Sequence, residues 1–149
     1  MHSNTRVPAF LLGLAGLIPF ISLGLATWLW PTYSSAAGAL LKDYAALILA
    51  FLGALHWGAA LHQPQLAPVR AWSSLTWGVV PALLAWWAVG MPVTQSLFWL
   101  LVSLIAALAV DRATARWYAW PSWFIGLRLL LTVGACLGLS LGLYGLRGA

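Results

Sequence analysis

Between Arg70 and Asp111 the chain runs forty residues without one Asp, Glu, Lys or Arg, broken near its middle only by the turn-like run Gly90-Met91-Pro92. A helix that crosses a hydrocarbon layer about 30 Å thick needs roughly 20 apolar residues. Ala71–Val89 and Val93–Val110 each come close to that length. The segment reads as two membrane-spanning helices joined by a tight turn.

The rest of the chain agrees. Of its 149 residues 63% are hydrophobic and 6% charged, more apolar surface than a soluble domain hides. Several of the eleven tryptophans, Trp28, Trp30, Trp72, Trp117, Trp120 and Trp123, fall near predicted helix ends, where amphipathic rings suit the membrane–water boundary. The net charge of +5 comes from seven basic residues scattered along the chain, so it supports no nucleic-acid partner and is read as a topology signal. A single cysteine, Cys136, excludes an internal disulfide and any multi-cysteine metal site, and its place in an apolar stretch points to packing.

Five spans are predicted, at about residues 8–30, 39–61, 71–89, 93–110 and 124–146, forming one all-α integral membrane domain over residues 1–149. Pro19 interrupts the first span, Pro31 and the Thr32–Gly38 stretch mark its exit, and Pro64 and Pro68 fall in the second connection. Pro81 is expected to bend the third span, and Asp111–Trp123 reads as a polar, aromatic loop. Arg6 before an apolar stretch and the small residues Ala37-Gly38-Ala39 resemble a signal peptide, but the stretch is much longer than a typical h-region of about 7–15 residues. With five spans, Arg6, Arg70, Arg112 and Arg116 share one side, and Lys42 and Arg147 the other. Short loops rich in Lys and Arg stay cytoplasmic, so the N-terminus is expected inside and the C-terminus outside.

Two sets of small residues recur at intervals of four: Ala46, Ala50, Ala54 and Gly58 in the second span, and Gly134, Gly138 and Gly142 in the fifth. Small residues let helix backbones approach in lipid, where packing rather than hydrophobicity drives association. They serve contacts within the chain or a docking face for a second copy or another membrane protein.

Ionisable groups at depth cost several kcal/mol, on the order of 2–4, or find a partner. His56 lies six residues before the inner boundary of the second span, roughly 9 Å deep at 1.5 Å per residue. Arg128 lies five residues after Trp123, and Asp111 ends the fourth span on the same side. His56, Arg128 and Asp111 therefore form a candidate polar cluster, with Ser73, Ser74 and Thr76 within reach. The structural alternatives are that Arg128 snorkels to headgroups, Asp111 pairs with Arg112 or Arg128, and His56 donates to a backbone carbonyl. The functional alternative is a small polar or anionic ligand, or a proton relay. Lys42, Asp43 and Tyr44 on the other side, together with Trp57, are secondary candidates; Lys42 and Asp43 are expected to satisfy each other.

No metal or other cofactor is expected. His56 and His62 are six positions and about 240° apart on a helix, so they cannot share a ligand on one face. No nucleophile-elbow spacing or phosphate-binding glycine loop appears.

Four segments carry a family resemblance: Leu12-Gly13-Leu14-Ala15-Gly16-Leu17-Ile18-Pro19-Phe20; Tyr44 followed by Phe51-Leu52-Gly53-Ala54-Leu55-His56-Trp57-Gly58; Trp77-Gly78-Val79-Val80-Pro81 with Ala85-Trp86; and Leu127-Arg128 with Leu131-Thr132. Together they resemble a small multi-span domain of unknown function shared by proteobacterial inner-membrane proteins and the mitochondrial transmembrane protein 69 family. The Phe-Leu-Gly-x-x-His-Trp-Gly segment is the most specific part. The resemblance implies a multi-pass protein of the bacterial inner membrane and assigns no activity; it draws attention to His56, Arg128, Tyr44 and Pro81. The expected function is a non-enzymatic accessory or assembly partner of a larger membrane complex. The alternatives are a small transporter or proton-coupled carrier using the His56–Arg128–Asp111 level, and a membrane enzyme acting on lipid or quinone.

Overall fold

A computed structural model describes residues 3–147, with the side chains of residues 5–147. Among these residues the chain is all-helical: α1 (Ser3–Ala15), α2 (Leu17–Leu29), α3 (Ser34–Leu61), α4 (Pro68–Val89), α5 (Val93–Thr114) and α6 (Ser122–Gly145), with 3-10 turns at Pro31–Tyr33 and Ala115–Trp117. Four stretches, Thr5–Leu29, Pro31–Leu61, Val93–Trp117 and Ser122–Gly145, are long and apolar enough to cross a membrane. The α4 helix is 22 residues long, but Trp72, Trp77, Trp86 and Trp87 and the pair Ser73-Ser74 lower its mean hydropathy.

The first predicted span is divided between α1 and α2. Pro19 has no N–H to offer the carbonyl of Ala15 and its ring crowds that carbonyl, so the ladder breaks at Gly16. By contrast α4 continues through Pro81, which is buried. Two predicted loops are shorter than expected. Ser34–Gly38 is already helical, and Asp111–Thr114 extends α5 beyond its apolar part. Charged and small polar residues end an apolar run without ending a helix, because helical hydrogen bonding depends on the backbone.

What assembles the helices is a seam of buried residues spaced three or four apart, the pattern of helices packed nearly side by side. On α5 it is Leu97, Leu100, Leu104, Ala107, Asp111 and Thr114; on α4, Ser74, Gly78, Pro81, Ala85 and Ala88. On α3 it runs Gly38, Leu41, Ala45, Leu49, Leu52 and His56, and on α6 Arg128, Thr132, Ala135, Leu139 and Gly142. At one end of the bundle the seams carry Ser74, His56, Asp111, Thr114, Arg128 and Thr132; elsewhere they are almost wholly apolar. The α3 helix is the hub, touching α2, α4, α5 and α6, while α2 also lies along α6.

Between the helices, up to the edge of the polar cluster, glycine sets the spacing. A Cβ at Gly24 would collide with the Gly138 carbonyl, and one at Gly138 would sit 2.5–2.8 Å from the Phe20 backbone and Cβ. A Cβ at Gly53 would strike the Gly78 carbonyl, and one at Gly78 the Trp57 ring. The outward surface carries large apolar side chains, among them Leu12, Leu61, Val69, Trp72 and Trp86, each more than 70% exposed, as a lipid-facing surface requires.

Candidate functional site

His56, Asp111 and Arg128 come together in the interior, each less than 5% exposed. Their helices bring them there by the seam spacing: His56 is the last buried position of α3, Asp111 the penultimate one of α5, and Arg128 the second buried residue of α6 after Leu127. Arg128 approaches one carboxylate oxygen, Asp111 Oδ2, from both Nε at 2.7 Å and Nη2 at 2.6 Å. Asp111 Oδ1 stands 3.6 Å from His56 Nε2.

The Thr114 hydroxyl gives its proton to the Val110 carbonyl at 2.8 Å and stands 3.3 Å from His56 Nε2. With that proton committed, the Thr114 oxygen is free to accept from His56 Nε2, with Asp111 Oδ1 alongside. Nδ1 has no hydrogen-bond partner. The imidazole is enclosed edge-on by Trp77, Tyr118 and Trp120, with ring centroids 5.7–6.5 Å away. Tyr118 donates to Ser74 Oγ at 2.5 Å, Ser74 donates to the Arg70 carbonyl at 2.7 Å, and Gln63 donates to the Tyr118 carbonyl at 3.2 Å. Tyr118 follows the last turn of the α5 stretch, and burial pushes its phenol above the ordinary value of 10.0. It therefore stays a donor through neutral pH.

Arg128 is buried against Asp111 rather than reaching headgroups, and Arg112 beside Asp111 is exposed. Of the three hydroxyls expected near the cluster only Ser74 joins it. Ser73 donates to Val69 O on the exposed face, and Thr76 is exposed. Thr114, Tyr118 and Trp120 belong to the site without having been singled out. Thr114 was legible as the residue three after Asp111 on one helix face; the aromatic loop offered no such period.

The secondary candidates lie elsewhere. Lys42 contacts Asp43 at 3.8 Å but donates to the Val89 carbonyl at 3.2 Å, capping the end of α4. Tyr44 donates to the Gly16 carbonyl at 2.8 Å, and its ring meets Phe20 edge-on. Trp57 donates to the Leu75 carbonyl at 2.9 Å, tying α3 to α4. Of the small residues on α3, Ala46 is buried and Ala50 half-buried, whereas Ala54 and Gly58 face outward, and a Cβ at Gly58 would meet nothing. On α6 the glycines turn inward: Gly134 faces Leu17, Gly138 faces Phe20, and Gly142 faces Leu41 and Leu97.

Beside the cluster lies a cavity of about 370 Å³ lined by α1, α2, α3 and α6 with Leu104 of α5, and Arg128 and Thr132 are the polar members of its lining. Chemically, the site is one ion pair, one imidazole and a set of hydroxyls, with guanidinium donors in excess of the carboxylate oxygen they meet.

The comparisons with known proteins are consistent with this picture. The chain is 41% identical to transmembrane protein 69 of Xenopus tropicalis over 135 residues, covering 89% of this chain and 52% of that protein. It is 30% identical to transmembrane protein 69 of Mus musculus over 131 residues, covering 86% and 52%. The chain thus spans about half the length of the curated relatives it matches. No solved structure matches it. Residues 5–144 match the family described as protein of unknown function (DUF3429), and with these relatives the match shows that this transmembrane helical bundle belongs to that family.

Proposed function

We propose that the protein is a non-enzymatic, multi-pass protein of a bacterial inner membrane that serves as an accessory or assembly partner of a larger membrane complex. In this reading α1 and α2 cross together, α3 to α6 cross once each, and the N-terminus lies inside with the C-terminus outside. The observation that carries the proposal is that the ionisable groups of the interior are consumed by one another. Asp111 is shared between Arg128 and His56, and the Thr114 proton is committed to Val110. Such a set fixes the register of α3, α5 and α6, and its one unpartnered imidazole nitrogen, His56 Nδ1, lies among the rings of Trp77, Tyr118 and Trp120. The short loops add no aqueous domain, so a partner would be met through lipid-facing helices such as α4, whose Trp72 and Trp86 are the most exposed of its rings.

The test has two arms. Tags at either end of the chain should report opposite compartments. Affinity purification from native membranes in mild detergent should recover a stoichiometric membrane partner; a well-behaved monomer alone would count against the accessory role. A carrier using the same cluster is the second reading, favoured by Arg128 standing at both the ion pair and the cavity. Liposome flux unchanged by His56→Ala and Arg128→Ala would exclude it.

A further inference from the structure

The cavity beside the cluster has a shape with a local cause. Below the break at Gly16, α1 leans onto α6, where Gly13 fits against Leu131, and it leaves α3 behind. The gap is lined by apolar side chains, with the exposed Leu12 and Phe51 at its rim, so it opens sideways toward the lipid. At about 370 Å³ it falls within the roughly 300–1,000 Å³ of small-molecule sites. A void of that size left empty forfeits the dispersion contacts of every atom around it.

Its polar members are unusual. Thr132 is 4% exposed, and its Oγ1 has no hydrogen-bond partner. Arg128 is equally buried, and its contacts with Asp111 all fall on the single oxygen Oδ2. A guanidinium carries five N–H donors, so donors remain beyond those aimed at the carboxylate. Asp111 already cancels the Arg128 charge. A second anion here would leave a net charge in a low-dielectric interior, whereas a neutral acceptor oxygen would not.

We propose that this cavity binds a neutral, carbonyl-bearing amphiphile from the bilayer, its apolar body between α1 and α3 and its carbonyl oxygen accepting hydrogen bonds from Arg128 and Thr132. The ester carbonyl of an acyl lipid and the ring carbonyl of a quinone share this chemistry. The inference depends on neither an assembly role nor transport, because it is read as equilibrium binding.

The full chain is reconstituted in nanodiscs of ether-linked, carbonyl-free lipid and titrated separately with a diacyl ester phospholipid, a short-tailed benzoquinone and an alkylbenzene bearing the same tail. A ligand that binds only the folded state raises the thermal midpoint in proportion to the logarithm of its concentration. At least one carbonyl probe should raise the midpoint while the alkylbenzene does not, and the active probe identifies the source. Thr132→Val, which keeps the shape and removes the hydroxyl, should weaken binding about tenfold, as loss of one hydrogen bond does. Ala9 lines the cavity from α1, and Ala9→Phe, which puts a ring into it, should abolish the ligand-dependent shift, read against the variant's own unliganded midpoint. An alkylbenzene as effective as the carbonyl probes, no response to any probe, or undiminished binding in Thr132→Val would each overturn the proposal. If Thr132→Val does not fold, the wild-type contrast between carbonyl and hydrocarbon probes decides, with Ala9→Phe locating the site.

Discussion

Where α3, α5 and α6 meet around His56, helices are joined by charge and hydrogen bonds; where α2 crosses α6 around Gly24, they are joined by the absence of side chains. Both regions use α6, and Arg128 and Gly138 stand only about 15 Å apart along it at 1.5 Å per residue. The first region is directional: Asp111 accepts from Arg128 along a fixed line, and Thr114 and Tyr118 each have one partner for their proton. The second is steric, with Gly138 beneath the Phe20 backbone and Gly145 beneath Thr27. In lipid, neither region draws on a hydrophobic force between helices, so register must come from the first and intimacy from the second.

Substitutions separate these contributions. The largest loss is expected for Asp111→Leu, which leaves the Arg128 charge buried without a partner and should cost about 3–5 kcal/mol in a denaturant titration of the detergent-solubilised protein. Adding Arg128→Met should restore most of it; a double variant as unstable as the single one would show that shape, not charge, holds that end. Gly138→Leu should cost at least about 1–3 kcal/mol by overpacking against Phe20, while Gly58→Leu, which meets nothing, should be neutral in the same assay. Equal effects at the two glycines would break the distinction between inward and outward small residues.

Tyr44→Phe removes the bond to Gly16 and should cost only about 0.6 kcal/mol, the usual worth of one such bond within a membrane protein. The smallest effect is an alkaline one. The Tyr118 phenol is raised above 10.0 in the folded chain, so the unfolded chain ionises first. The contribution of this group is complete below about pH 10 and falls as the pH rises through the folded value. Stability measured between about pH 9 and 11 should slope downward, and Tyr118→Phe should flatten that slope.

The long charge-free run disclosed the membrane and most helix positions because crossing a bilayer demands an unbroken apolar stretch. It could not disclose that Asp111 and Arg112 remain helical, since charge limits the apolar run and not the helix. His56, Asp111 and Arg128 could be matched by depth because each crossing advances at a fixed rise per residue. Thr132 entered only as part of a family segment and not as a member of the cluster, although it is one turn beyond Arg128 on the same seam, since a threonine in an apolar helix gives no sign of whether its hydroxyl is spent. The α3 set at intervals of four divides between the two faces for a related reason: the buried seam mixes threes with fours, so Ala46 begins inside and Gly58 ends outside.

The break at Gly16 divides the apolar stretch Thr5–Leu29 into two helical rods, and Tyr44 grips the chain at the joint itself. The helical ladder is interrupted there, so the direction of α1 is set by its own contact with Leu131 of α6, separately from the glycines that seat α2 along α6.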